Sequence, residues 1–170
     1  MHTIRLSVFA FLLICSGWLF AKTPGEVAVG GVLGDVDMRG LTGPSQRLSA
    51  FRGKPLIINV WASWCGPCRS EMASLDRLSR VHAQGKFAVI GISTDDYAQN
   101  AKGFLARAKT SFPHFIDQAL VLENMLGADK IPLTIFIDAQ GKVITRYYGA
   151  VAWDSPEALR FIEKAFQHKL

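Results

Sequence analysis

The feature that most restricts the fold is a nearly all-apolar run, LIINVWA at residues 56–62, with a helical pattern soon after it. Its β-branched residues and its length are typical of a strand that is buried on both faces. Beyond it, apolar side chains recur at a spacing of three, which favours a helix: Met72, Leu75, Leu78 and Val81. A buried strand joined to a helix by a few residues is the basic unit of an α/β sheet.

The same alternation continues along the chain and predicts an α/β fold with a central mixed sheet flanked by helices. Pro132 opens a strand, and the turn at residues 139–142 joins that strand to the next one as an antiparallel hairpin. The predicted elements are two short strands within residues 35–51, strands at 86–93, 133–138 and 143–148, and helices at 98–109, 121–126 and 156–169.

The composition indicates one packed domain. The chain has 170 residues, of which 49% are hydrophobic and 19% charged, and this balance excludes disordered and fibrous proteins. Its net charge of +5 is scattered rather than gathered into a basic stripe, so nucleic-acid binding is not expected. Three cysteines are too few for a disulfide-stapled scaffold or a four-cysteine zinc site, and no metal site is predicted. Residues 22–34 are Gly-rich and indicate a linker, which leaves residues 35–170 as the domain.

Residues 1–21 are interpreted as a signal peptide or an N-terminal membrane anchor. His2 and Arg5 precede an apolar stretch, as in export signals. An apolar helix of about 16 residues is about 24 Å long, shorter than the roughly 30 Å hydrocarbon core, and this favours cleavage. Arg5 and Lys22 could snorkel at the two ends of a short anchor, so both interpretations stay open.

The chemistry is predicted at Cys65-Gly66-Pro67-Cys68. The motif lies between the buried strand and the helix, so the Cys65 sulfur would lie at a helix N-terminus, where free N–H groups lower the pKa of a thiol. Pro67 suits the first helical turn, and the spacing lets Cys68 reach Cys65 to close or open a disulfide. The alternatives are a purely structural disulfide, which adds little stability across so short a loop, and a zinc site, which lacks further ligands.

A family resemblance follows from this motif and its surroundings. The segments NVWASWCGPCRSEM and IPLTIFID resemble the thioredoxin superfamily, and more narrowly its exported TlpA/ResA-like thiol-disulfide oxidoreductases. The similarity runs from about Asp35 to the C-terminus. It implies a thioredoxin-like fold with an N-terminal β-hairpin extension and an inserted helix–strand element around residues 93–117. It also implies that Cys65 is the exposed nucleophile and that Cys68 resolves the mixed disulfide.

The resemblance also assigns residues to substrate binding. Pro132 matches the cis-proline that faces the active-site disulfide in this family, and the backbone of Ile131 before it is expected to bind an extended peptide. Trp64 directly precedes the nucleophile and is expected to shape an apolar docking surface.

Glu71 matches an active-site glutamate of the ResA-like members. Thioredoxin itself has a buried Asp on the strand where this chain has Asn59, and an amide cannot accept a proton. A carboxyl buried near the sulfurs would have a raised pKa and could exchange a proton with Cys68. The alternative is a solvent-facing Glu71 in the first helical turn. Farther along the chain, Asp95 and Asp96 are interpreted as a helix cap.

The sequence therefore predicts an exported protein-disulfide reductase in the periplasm or another extracytoplasmic space. If residues 1–21 are an anchor, the protein would be attached to the inner membrane. The resemblance implies a membrane electron donor and a role in cytochrome c maturation or in keeping exported cysteines reduced. A disulfide-inserting oxidase is disfavoured by Gly66-Pro67. A thiol peroxidase is disfavoured because Ile58 and Ala62 stand where that class has Pro and Thr. No cofactor is predicted, and a monomer is expected.

Overall fold

The computed structural model describes residues 24–170, so the predicted signal peptide or anchor at residues 1–21 lies outside the described residues. Seven strands and four α-helices make up this part of the chain. They are β1 Asp37–Gly40, β2 Gln46–Arg47, β3 Leu56–Trp61, α1 Gly66–Arg77, β4 Ala88–Ser93, α2 Ala98–Ala108, β5 His114–Ile116, α3 Val121–Leu126, β6 Leu133–Ile137, β7 Val143–Tyr148 and α4 Pro156–Phe166. A 3₁₀ turn at Leu48–Phe51 and a π-helical turn at Leu78–Ala83 complete the set.

The seven strands form one mixed sheet in the order β2-β1-β5-β4-β3-β6-β7. Strands β3, β4 and β5 run parallel, and the remaining pairs are antiparallel. The predicted thioredoxin-like α/β fold is confirmed, including the hairpin extension and the inserted helix–strand element, which is α2 with β5. The sequence did not reveal that β1 pairs with β5 and so extends the sheet past the insertion.

Strand β3 lies inside the sheet, between β4 and β6, and is buried at every position. Its side chains alternate between two cores, because successive residues of a strand point to opposite faces. Ile57 and Trp61 pack with α1, α2 and α4, whereas Ile58 and Val60 pack on the other face with α3. This alternation also places the polar side chain of Asn59 on the α1 side of the sheet.

The segment 24–34, predicted as part of a linker, has no helix or strand but is attached to the domain. The Val27 N–H donates to the Met125 carbonyl at 3.0 Å, and the Leu33 N–H donates to Gly141 at 2.9 Å. Leu33 is buried, and Arg146 of β7 forms an ion pair with Glu26 at 3.4 Å. Backbone hydrogen bonds, the buried Leu33 and this ion pair therefore hold the segment on the domain.

The helices of the described residues are short. None of them within residues 24–170 is long and apolar enough to cross a membrane. The last helix begins as predicted, since the Ser155 hydroxyl accepts a hydrogen bond from the Ala158 N–H at 3.2 Å. It ends at Phe166, earlier than predicted, because Gln167 adopts a left-handed φ of 52°.

Candidate active site

The two cysteines lie where β3 gives way to α1. Cys65 is the N-cap of α1, and Pro67 occupies the first turn, where its missing N–H leaves no hydrogen bond unmade. Cys65 and Cys68 form a disulfide with a Cα–Cα distance of 5.3 Å. The Cys68 N–H points at the Cys65 sulfur at 3.2 Å. The N-terminal end of the helix, where N–H groups are free, is thus directed at Cys65.

The two sulfurs differ in their access to solvent. Cys65 is 5% exposed and Cys68 is 0% exposed. The sequence predicts an exposed Cys65, whereas the structure leaves it nearly buried. Cys65 is still the more accessible cysteine of the pair. Its neighbour Trp64 is 70% exposed and presents a large apolar surface beside it.

The Ile131–Pro132 peptide bond is cis, as the resemblance implies. The Ile131 carbonyl oxygen lies 3.9 Å from the Cys65 sulfur. Pro132 directly precedes β6, which pairs with β3, so the strand that leads to the disulfide and the strand that follows the cis-proline are neighbours. The fold thus brings two distant motifs of the sequence, CGPC and IPLTIFID, to one end of the sheet.

Glu71 is buried, and this excludes the solvent-facing alternative: the residue is 2% exposed. Its carboxylate accepts three hydrogen bonds, from Asn59 Nδ2 at 2.8 Å, from Trp153 Nε1 at 3.0 Å and from the Val151 N–H at 3.2 Å. Burial raises the pKa of Glu71 above its ordinary value, against the opposing effect of these donors. This direction is the one that the sequence predicts for a buried carboxyl.

Three partners of this site were not found from the sequence. The sequence marks Asn59 only as a residue unable to accept a proton, and no pattern in it points to Thr134 or Trp153. Trp153 lies 82 residues after Glu71 in the chain, and Thr134 lies 75 residues after Asn59. Hydrophobic periodicity describes local structure, so it carries no signal for such contacts.

Asp95 is not a helix cap, and that interpretation was wrong. The N-cap of α2 is Tyr97, which makes no side-chain capping hydrogen bond. The buried Asp95 carboxylate instead accepts hydrogen bonds from the Ser63 N–H at 2.9 Å, the Ser63 hydroxyl at 2.6 Å and the Ser93 hydroxyl at 2.7 Å. It therefore fixes the loop that leads from β3 to Trp64 and Cys65.

The Asp95→Ala variant should lose about 2–4 kcal/mol of the free energy of unfolding, because the two donors of half-buried Ser63 and the buried Ser93 hydroxyl lose their acceptor. Urea denaturation at neutral pH measures the loss. The matched control is Asp96→Ala at the exposed neighbouring position, where a change of about 0.5 kcal/mol or less is expected. Equal losses in the two variants would show that the Asp95 hydrogen bonds do not stabilise the loop.

Known proteins show the same family features. The sequence pattern of the Redoxin family matches residues 35–162. The thiol-disulfide oxidoreductase ResA of Geobacillus thermodenitrificans is 32% identical over 144 residues, which cover 82% of this chain and 83% of that protein. ResA of Halalkalibacterium halodurans is 27% identical over 157 residues, covering 87% and 86%.

Solved structures agree with this relationship. The chain superposes on a Chlorobium tepidum protein assigned as thiol:disulfide interchange protein DsbE with a TM-score of 0.74 and 27% identity, covering 82% of this chain and 98% of that one. The thioredoxin domain of a Bacteroides vulgatus thiol-disulfide oxidoreductase has the same fold, with a TM-score of 0.69 and 23% identity over 81% of this chain and 97% of that one. The chain belongs to the Redoxin family and is a thiol-disulfide oxidoreductase of the ResA type with a Cys65–Cys68 pair.

Proposed function

We propose that the protein reduces disulfide bonds of exported protein substrates, with Cys65 as nucleophile and Cys68 as resolving thiol. The observation that carries the proposal is the position of Cys65 at the N-terminus of α1, where the Cys68 N–H lies 3.2 Å from its sulfur. Free N–H groups and the helix dipole stabilise a thiolate there. The residual exposure of Cys65, against none for Cys68, supports the same order of attack.

The reaction passes two electrons to the substrate in two exchanges. The reduced Cys65 thiolate attacks one sulfur of a substrate disulfide, forms a mixed disulfide and releases the other sulfur as a thiolate. The Cys68 thiolate then attacks the Cys65 sulfur, forms the Cys65–Cys68 disulfide and releases the second substrate thiol. The substrate is reduced and the enzyme is left in the disulfide form, which a donor must reduce again.

Glu71 is proposed as the acid–base group for Cys68. The Cys68 thiol must lose a proton before it can attack, and Glu71 follows it by one helical turn on the same face of α1. Burial raises the pKa of Glu71, which brings a carboxyl closer to the range in which it exchanges protons near neutral pH.

Substrate binding is proposed at the surface next to Cys65. The exposed Trp64 side chain offers apolar contact, and the Ile131 backbone at the cis-Pro132 bond lies beside the Cys65 sulfur. A backbone carbonyl at this position can accept a hydrogen bond from an extended peptide. The protein substrates would thus be held by main-chain contacts that do not depend on one sequence.

The location of the enzyme is proposed from the sequence. Residues 1–21 would direct export or anchor the chain, residues 22–34 would follow as the connecting segment, and residues 35–170 would form the catalytic domain outside the cytoplasm. An oxidising compartment supplies no reductant, so a membrane protein must supply the electrons. Suitable substrates are apocytochrome c or other exported proteins with cysteine pairs, and the enzyme would act as a monomer.

The reduction potential of the Cys65–Cys68 pair tests the direction of the reaction. Purified protein would be equilibrated in glutathione or dithiothreitol buffers and its thiols counted by alkylation. A potential at or below about −230 mV is expected for a reductase. A potential near about −120 mV, typical of a strong oxidant, would contradict the proposal and indicate disulfide insertion instead.

A further inference from the structure

Asn59 on β3 carries a buried polar atom that the proposed reaction does not use. Its side chain is 0% exposed, and Nδ2 donates hydrogen bonds to Glu71 Oε1 at 2.8 Å and to Thr134 Oγ1 at 3.0 Å. Its carbonyl oxygen, Oδ1, is equally buried and has no hydrogen-bond partner among the residues that the structure describes. Buried polar atoms are normally paired, so this one calls for an explanation.

The other partners of Glu71 can only donate. The Trp153 indole N–H and the Val151 backbone N–H both point at Oε2, and neither group can accept a hydrogen bond. With Asn59 Nδ2 on Oε1, the surroundings match an ionised carboxylate. A protonated Glu71 has an O–H that needs an acceptor, and among these three partners Asn59 alone has an acceptor atom.

The Asn59 amide can meet both requirements by rotating through half a turn. Rotation exchanges Nδ2 and Oδ1, so the oxygen would then face Glu71 and Thr134. A hydroxyl both donates and accepts, so Thr134 can follow the change. In the first orientation, Nδ2 donates to the Glu71 carboxylate and to the Thr134 hydroxyl. In the second orientation, Oδ1 accepts from the protonated Glu71 carboxyl and from the Thr134 hydroxyl. The amide therefore makes two hydrogen bonds in either orientation.

We propose that Asn59 is a positioning residue whose side-chain amide rotates when Glu71 gains or loses a proton, so that both forms of the carboxyl stay hydrogen-bonded. The proposal rests on the acid–base role proposed for Glu71 and deepens it. Because an amide does not titrate in this range, Asn59 cannot compete for the proton that Glu71 exchanges with Cys68.

Few other titratable groups face Glu71. Strands β3 and β6 contribute none, and α4 packs against this core through apolar side chains. Asp154, next to Trp153, forms an ion pair with Arg77 at the C-terminal end of α1. The cysteines of a disulfide do not titrate. The remaining charged residues of α1 are exposed or ion-paired: Arg69, Asp76 and Arg77. Strand β7 contributes the Tyr147 phenol, which packs on Trp153. Because the protein also has carboxyls elsewhere, a pH series on the oxidised protein must follow a signal assigned to Glu71 itself.

Neutron diffraction on perdeuterated crystals of the oxidised protein tests the rotation directly. The midpoint of the Glu71 titration is first measured by carboxyl ¹³C NMR, and crystals are then equilibrated above and below it. Above the midpoint, we expect the two deuterons of the Asn59 amide on the atom that faces Glu71. Below it, we expect a single deuteron on Glu71 that points at the Asn59 oxygen. The same orientation at both pH values would overturn the proposal.

Variants test whether the rotation matters for exchange. A mixed disulfide between Cys65 and a reporter peptide thiol would be formed, and its formation and its resolution by Cys68 timed separately across pH. Asn59→Leu and Thr134→Val should each slow resolution about tenfold or more near neutral pH, because the proton transfer loses its hydrogen-bonded partner. Formation of the mixed disulfide by Cys65 should change little, which a general loss of structure would not allow.

The control is Asn124→Leu, the same change at an exposed amide on α3, which should resolve at the parent rate. Two failures can be told apart. If the unmodified enzyme forms and resolves no mixed disulfide, the proposed function is wrong. If it does both, and the Asn59 and Thr134 variants resolve at the parent rate at every pH, the role of Asn59 alone is wrong.

Discussion

A Cys68→Ser variant should stop at the mixed disulfide with its substrate and lose turnover by at least about a thousandfold. The serine hydroxyl cannot displace a thiol from the Cys65 sulfur, so the second exchange has no nucleophile. Intact-protein mass spectrometry after incubation with a disulfide-containing peptide should show one covalently bound peptide per chain. Thiol release, followed continuously, should show one equivalent and then cease.

The matched variant is Cys65→Ser, which should lose the same turnover without trapping the peptide. The remaining cysteine of its Cys65–Cys68 motif, Cys68, is 0% exposed, so the substrate disulfide cannot reach it. The protein is used without residues 1–21, so that Cys15 is absent. An adduct on Cys65→Ser together with none on Cys68→Ser would reverse the two roles. Comparable adducts on both variants would show that exposure does not decide the order of attack.

The parts of the site that the sequence predicts are those built by local structure. The apolar run of β3, the Cys65-Gly66-Pro67-Cys68 turn and the start of α1 are adjacent in the chain, so periodicity and helix-start rules apply to them directly. The position of Cys65 at the helix N-terminus follows from this order alone. The cis Ile131–Pro132 bond came from the family resemblance, since nothing local distinguishes it from a trans-proline that opens a strand.

The polar contacts behind the disulfide are long-range and escaped prediction for that reason. Glu71 could be suspected of burial from the resemblance, but its donors come from β3 and from the loop after β7. Asp95 has the residue type and position of a helix cap, and only the closeness of the β3 and β4 ends shows that it binds Ser63 instead. Side chains of this kind are fixed by sheet order, which a single sequence does not specify.

A second polar group is buried on the same side of the sheet, at His114 on β5. Its Nε2 lies 2.9 Å from the Thr110 hydroxyl, while Nδ1 has no partner among the described residues. The ring is packed against Trp61 and Phe112, and a Cβ at Gly91 would lie only 2.2 Å from Nδ1. Only glycine fits at position 91, so the imidazole is enclosed, and burial lowers the pKa of His114 to about 3.

This burial should make the enzyme unstable in acid. The pKa of His114 is 6.5 in the unfolded reference and about 3 when folded, so the unfolded chain binds the proton first. The contribution of neutral, buried His114 to the free energy of unfolding is fully present above about pH 6.5 and falls as the pH drops toward about 3. The loss reaches about 3 kcal/mol by about pH 4. Urea denaturation of the oxidised protein at neutral pH and near pH 4 measures it.

The His114→Gln variant should remove most of this acid-dependent loss, although the variant is less stable at neutral pH because the aromatic contacts are gone. His168→Gln, at an exposed histidine near the C-terminus, is the control and should keep the full loss. The comparison uses the difference between the two pH values within each variant, so a uniform destabilisation cancels. If His114→Gln loses as much stability in acid as the parent, protonation of His114 does not drive acid unfolding, and the carboxylates must account for it.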